Sequence, residues 1–182
     1  MNQMEKFKQQ SFDDKFHDIK GAVLEIGCGV GKNFHLYPRG CHVTAVEISF
    51  KKTLDALSTS KRCHPAPIVI NADAQKLPFP SDYYDVIIVS MVLCAVKNVA
   101  LAIEELNRVA KPNARLLLFE HICSSNQPLS TIQNMLSPIH AYLLGCHLNR
   151  NPVDLLQRHF SITHREDKNG IVPWIFLDGY KK

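Results

Sequence analysis

Apolar residues along this chain fall into short continuous runs separated by stretches of helical spacing. The runs are Ala22-Val23-Leu24, Cys41 to Ile48, Ile68-Val69-Ile70, Tyr84 to Val89 and Arg115 to Glu120. Runs of this length and continuity suit strands of a parallel sheet covered on both faces, and Tyr84 to Val89 reads as the central one. Helix signals lie between them. Lys32 to Leu36 can start a helix after a glycine-rich turn, and Ser49 can cap a segment carrying Leu54 and Leu57. Asn98 can cap Val99, Ala102, Ile103, Leu106 and Val109 at helical spacing, with Pro112 as the stop. Strand and helix thus alternate through five units, which predicts an α/β chain with a parallel sheet, right-handed crossovers and a ligand crevice at the carboxyl ends of the strands.

The regularity changes at both ends. Met4, Phe7, Phe12, Phe16 and Ile19 stand among charged residues, which predicts a helix or two forming a cap over residues 1–20. After Ile122, the stripe Leu129, Ile132, Leu136, Ile139 and Leu143 repeats at i, i+3 and i+4, interrupted by Pro138, which would kink or divide a helix. Residues 124–150 are expected to form a lid-like insertion in which that stripe packs against the core. Asn151-Pro152 then opens a short helix to about His159, and Phe160 to Arg165 and Trp174 to Tyr180 read as two strands around Asn169-Gly170.

Composition adds limits. A chain of 182 residues is expected to fold as a single domain. Its 46% apolar and 21% charged residues are those of a globular protein. The net charge of +4 is scattered in pairs such as Lys51-Lys52 and Lys61-Arg62 without interleaved aromatics, which argues against a nucleic-acid footprint. No apolar run reaches the roughly 18 residues of a membrane span, and Met1 to Lys20 lacks a secretory apolar region. The six cysteines, at 28, 41, 63, 94, 123 and 146, include no C-x-x-C pair. They are read as reduced thiols in a cytosol-like compartment, with no metal expected.

The chemistry is concentrated in Val23 to Gly31, VLEIGCGVG. Gly27, Gly29 and Gly31 follow a strand in E-x-G-x-G-x-G order, where glycine permits positive φ and close approach of a ligand. The spacing differs from the dinucleotide G-x-G-x-x-G, and the acidic Glu25 beside the loop suits a cationic ligand better than a pyrophosphate. Glu47 ends the next strand and Asp73 the one after, so two carboxylates would share the crevice.

In these residues the chain resembles the class I S-adenosylmethionine-dependent methyltransferases. The resemblance implies a Rossmann-like, seven-stranded, mostly parallel sheet of order 3-2-1-4-5-7-6 with helices on both faces. It implies S-adenosyl-L-methionine as cofactor and S-adenosyl-L-homocysteine as product. Glu25, Gly27, Cys28, Gly29 and Gly31 would line the methionine end. Glu47, with Ile48, would hold the ribose, and Asp73, with Ala74, the adenine amino group, while Ser90 and Met91 would edge the pocket near the methyl. The turn before the fifth strand, proline-glycine-glycine in the family, is here Pro112-Asn113-Ala114, in which Asn can supply a positive φ. Asp85 is as consistent with turn stabilisation as with catalysis.

A narrower resemblance lies in Gly31 to Pro38, Leu93 to Asn98, Glu120-His121 and Trp174 to Lys182, which look like the small-molecule methyltransferases related to microsomal alkyl-thiol methyltransferases and, more distantly, to ubiquinone/menaquinone biosynthesis methyltransferases. Members of the first group carry an N-terminal hydrophobic anchor not seen in Met1 to Lys20, so a cytoplasmic monomer or homodimer is expected.

The expected reaction is in-line methyl transfer to a small, partly hydrophobic thiol, hydroxyl, amine or quinol-type acceptor. His121, after the fifth strand, is the candidate base, with Cys94, His140 and His147 as poorer candidates. A D/N-P-P-Y-type motif is absent after the fourth strand, where Ser90-Met91-Val92-Leu93 stands, which again disfavours nucleic acid. The alternatives are a non-catalytic S-adenosylmethionine-binding protein of this fold acting as an assembly or regulatory partner, and a nicotinamide-dependent oxidoreductase, which the glycine spacing disfavours.

Overall fold

A computed structural model describes residues 3–182; Met1 and Asn2, the first residues of the expected cap, lie outside the described residues. Seven strands form one sheet: β1 (Gly21–Ile26), β2 (Cys41–Glu47), β3 (Ile68–Asn71), β4 (Tyr84–Ser90), β5 (Ala110–His121), β6 (Phe160–Lys168) and β7 (Trp174–Lys181). Their order is β3-β2-β1-β4-β5-β7-β6. β1 to β5 pair in parallel, while β7 runs antiparallel to both β5 and β6. The helices are α1 (Gln3–Phe16), α2 (Phe50–Ser60), α3 (Val99–Val109), α4 (Gln127–Leu144) and α5 (Val153–His159).

Alternation along the strands divides the core between the two faces. Leu24, Ile26, Ile87, Val89, Leu116 and Leu118 point to one face, where Ile103 and Leu106 of α3 and Leu156 of α5 cover them. Val23, Ile88, Leu117 and Phe119 point to the other, under Phe12 and Phe16 of α1 and Ala56 of α2. The N-terminal cap is thus one helix, whose Phe12 ring packs on Phe16, Phe119 and Phe176 at centroid distances of 5.1, 6.2 and 5.7 Å. The expected caps form: Asn98 accepts from Ala100 N and Leu101 N, and Ser49 from Lys52 N. Asn113 takes the positive φ, 61°, that the altered turn requires.

Several expectations are corrected. The glycine loop leads to a single 3-10 turn, Phe34–Leu36, in place of an α-helix. Asn33 turns its side chain to Glu25, and Tyr37, preceding Pro38, is extended at φ −71°, ψ 125°, as a residue before proline prefers. No helix stands between β3 and β4 among the described residues, because Pro78 and Pro80 interrupt the connection. The five strand–helix units are therefore incomplete. β3, read as buried, is half-exposed because it is the sheet edge with one partner. In α2, Leu54 and Leu57 face outward and Thr53, Ala56 and Ser60 inward. Thr53 Oγ1 donates to the Ser49 carbonyl at 3.0 Å, and Ala56 allows close packing on the sheet.

The largest correction concerns α4. It runs unbroken through Pro138, and its apolar stripe faces away from the domain: Ile139 and Leu143 are 59% and 68% exposed, whereas Gln133 and Ser137 are 2% and 1% exposed. Polar anchoring turns the helix this way. Gln133 accepts from Ser124 N at 2.7 Å and donates to the Ile122 carbonyl at 3.4 Å, and Ser137 Oγ accepts from Leu148 N and donates to Asn149. These bonds satisfy the backbone of both flanking loops, which apolar side chains could not do. No helix among the described residues is long and apolar enough to cross a membrane.

Candidate active site

The carboxyl ends of β1 to β4 open onto a crevice of about 540 Å³, within the usual range for small-molecule sites. Gly27 and Gly29 follow β1, Glu47 ends β2 and Ile48 follows it, Asp73 and Ala74 follow β3, and Ser90 ends β4 with Met91 after it; these eight of the eleven expected residues line it. Gly27 N and Cys28 N donate to the Val46 carbonyl at 2.8 and 3.1 Å, folding the loop over the end of β2. Gly27 and Gly29 have φ of 70° and 58°. A side chain at Gly27 would strike Val92, while a Cβ at Gly29 would meet nothing within 4 Å, so the loop leaves open room on the crevice side.

Both carboxylates are held in place. Glu47 Oε2 accepts from Gly29 N at 3.0 Å and Oε1 from Ser49 N at 2.9 Å, at 7% exposure. Each oxygen keeps a second lone-pair site for a ligand hydroxyl. Asp73 Oδ1 accepts from Gln75 N and Gln75 Nε2, both at 2.9 Å, and Gln75 Oε1 accepts from Asn98 N at 2.7 Å, which ties the turn to the start of α3. Met91 sits at φ 60°, an unusual conformation for a long side chain, at the crevice edge where the fourth strand ends. An open glycine turn, two fixed acceptors and an apolar edge fit a cationic nucleoside such as S-adenosylmethionine.

Other expected residues stand elsewhere. Glu25 is fully buried behind the loop, its oxygens taken by Asn33 Nδ2 at 2.6 Å and Tyr37 Oη at 2.8 Å, and burial pushes its carboxyl up. It braces the turn. Cys28 and Gly31 are also outside the crevice lining; burial raises the Cys28 thiol, and Gly31 packs against Phe34. Asp85 accepts from Ala22 N at 2.8 Å and Lys111 Nζ at 2.7 Å at the opposite end of the sheet, in the bracing role.

His121 does not line the crevice. Its ring is buried against Trp174, 5.5 Å between centroids, with Nε2 at 2.8 Å from Cys146 Sγ and Nδ1 without a hydrogen-bond partner. Hydrogen bonding with Cys94 lowers the Cys146 thiol and drives Cys94 upward. The neighbouring Glu120 is fully buried, which raises its carboxyl to about 7, and its Oε1 accepts from Val92 N and Leu93 N. His140 Nδ1 meets the Cys146 carbonyl at 2.7 Å, and His147 N donates to the Cys94 carbonyl at 2.9 Å.

Sequence reasoning missed Lys52, Gln75, Val92, Val96, Leu144 and Gly145 of the lining. Gln75 was within reach, since a side chain two residues past an aspartate can return to it; Leu144 and Gly145 arrive only through the path of α4.

A methyltransferase domain family profile matches residues 24–118. Thiol S-methyltransferase TMT1B of Rattus norvegicus is 28% identical over 183 residues, covering 94% of this chain and 75% of the relative. Thiol S-methyltransferase TMT1A of Homo sapiens is 31% identical over 144 residues, covering 76% of this chain and 59% of the relative. The chain thus spans between about three fifths and three quarters of the length of these relatives. Among solved structures, geranyl diphosphate methyltransferase in complex with SAM superposes with a TM-score of 0.79 at 11% identity, over 98% of this chain and 86% of that one. With strand order, glycine turn and paired carboxylates in place, the chain belongs to the methyltransferase domain family, as a class I enzyme that uses S-adenosylmethionine.

Proposed function

We propose that this domain methylates the thiol of a small, partly apolar acceptor, with residues 124–150 serving as a lid over the acceptor end of the crevice. The observation that carries this reading is the division of the crevice. Its nucleoside end offers Glu47 and Asp73, while Met91, Val92, Val96 and Leu144 make the opposite wall apolar. The similarity to relatives named thiol S-methyltransferase supports sulfur as the accepting atom.

When bound, S-adenosylmethionine supplies a sulfonium methyl that is already electrophilic, so placement and exclusion of water matter more than proton transfer. Glu47 and Asp73 fix the nucleoside by accepting hydrogen bonds. Gly27 and Gly29 let the methionine portion lie against backbone. The apolar wall orients the acceptor and keeps out water. A free thiol with a pKa near about 8.5 is partly ionised at neutral pH and needs no dedicated base. That suits His121, whose Nε2 is engaged by Cys146 away from the crevice lining.

The test is a panel of alkyl thiol, phenol, amine and quinol acceptors incubated with labelled S-adenosylmethionine. Transfer to thiols exceeding the other classes is expected. Transfer confined to oxygen, nitrogen or carbon would overturn the thiol assignment, and cofactor binding without turnover on any acceptor would favour a non-catalytic binding protein.

A further inference from the structure

Three soft donors from distant parts of the sequence converge beside the crevice. Cys94 lies in the loop after β4, His121 is the last residue of β5, and Cys146 follows Gly145, which ends α4 in the left-handed conformation at φ 70°. The two Sγ atoms and His121 Nε2 all lie within 4.8 Å of one another. Cys94 and His121 are each 3% exposed and Cys146 is half-buried. Ala95 and Gly145, next to two of these residues, line the crevice, so the cluster stands directly behind the wall they form.

Two thiolates and one imidazole are the donor set of a tetrahedral zinc ion with three protein ligands; calcium or magnesium would call for oxygens. Zinc–sulfur and zinc–nitrogen bonds of about 2.3 and 2.0 Å place donor atoms about 3.5–3.8 Å apart around the ion. With all three donors within 4.8 Å of one another, a common ion is within reach of each. Its short edge, His121 Nε2 to Cys146 Sγ at 2.8 Å, must open by less than about 1 Å, and Cys146 is in a loop after a helix end, where the backbone can yield.

A second observation points the same way. Glu120 Oε1 accepts from Leu93 N at 2.7 Å, immediately before Cys94, but Glu120 Oε2 is buried with no hydrogen-bond partner. The Cys94 thiol lies against this carboxyl, so a fully buried acidic group borders the cluster, where a cation would offset its cost.

We propose that Cys94, His121 and Cys146 bind one Zn²⁺, clamping the chain after α4 to the ends of β4 and β5. On binding, each thiol loses its proton to solvent and His121 offers the Nε2 lone pair with its proton on Nδ1. The clamp reinforces links already made in protein alone, the His147 N to Cys94 carbonyl bond and the Arg150 guanidinium to the Leu93 carbonyl at 2.9 Å. The site does not depend on which acceptor is methylated.

The experiment uses the full chain, freed of metal by a chelator under reducing conditions and titrated with Zn²⁺ against a chromophoric chelator, then with Co²⁺ followed by absorbance. One Zn²⁺ per chain is expected, with affinity falling at least about tenfold in Cys94→Ser and in Cys146→Ser but unchanged in Cys63→Ser. Co²⁺ bound to the unaltered chain should show sulfur-to-cobalt charge-transfer absorption, a readout that holds even where a variant fails to fold. No stoichiometric Zn²⁺ binding, binding retained in both cysteine variants, an equal loss in Cys63→Ser, or cobalt spectra lacking the sulfur band would each overturn the assignment.

Discussion

Glu47 Oε2 accepts a hydrogen bond from Gly29 N at 3.0 Å, so the carboxylate at the end of the second strand shapes the glycine turn that follows the first. In the proposed cofactor site, one residue would thereby present an acceptor to the nucleoside and hold the turn against which the methionine portion would lie. Glu47→Ala removes both effects and is expected to weaken S-adenosylhomocysteine binding by about 1.5–3 kcal/mol, the scale of hydrogen bonds to a charged group. Isothermal calorimetry measures it, and unchanged affinity would take Glu47 out of the site.

Gly27 and Val92 form the tightest approach in the loop. An alanine Cβ at position 27 would lie 2.1 Å from Val92 Cγ2, at a φ of 70°. Gly27→Ala should lower the melting temperature through both the clash and about 1–2 kcal/mol of left-handed strain. Adding Val92→Ala relieves only the clash, so the double variant should recover part of the loss. Full recovery would show that backbone strain at position 27 is negligible.

The reversed orientation of α4 predicts an inverted response to mutation. Gln133→Ala strands Ser124 N and should destabilise the fold by about 1–3 kcal/mol. Leu143→Gln, on the exposed stripe, should change stability by no more than about 0.5 kcal/mol. Denaturant midpoints of the two variants decide it; a larger loss in Leu143→Gln would mean that the stripe packs against the domain in solution.

Burial raises the Glu25 carboxyl above its ordinary value of 4.5. The folded state therefore binds this proton more tightly than the unfolded chain. Its contribution to stability is complete below the unfolded pKa and is lost as pH rises through the raised folded pKa. As pH rises above the ordinary carboxyl value the protein should lose stability through this group, and Glu25→Gln should flatten that dependence. Stabilities from chemical denaturation that change equally with pH in the unaltered protein and in Glu25→Gln would exclude Glu25 as the source.

Much of the site was legible because its signals are local. A glycine turn after an apolar run, and carboxylates at the ends of the next two, place Gly27, Gly29, Glu47 and Asp73 in one crevice once the strands are parallel neighbours, which alternation already implies. Capping at Ser49 and Asn98 and the positive φ at Asn113 are likewise properties of a few consecutive residues. The tertiary structure decided what depends on partners far away in sequence. Glu25 belongs behind the loop because Asn33 and Tyr37 take its oxygens, and α4 turns its apolar stripe outward because Gln133 and Ser137 satisfy loop backbone on the inner side. Cys94, His121 and Cys146 carry no recognisable spacing, and only the convergence of three chain segments brings their donor atoms within 4.8 Å. Periodicity specifies which face of an element is apolar; what meets that face is set by the free energy of the whole packed arrangement, in which buried backbone groups left without partners carry a cost of their own.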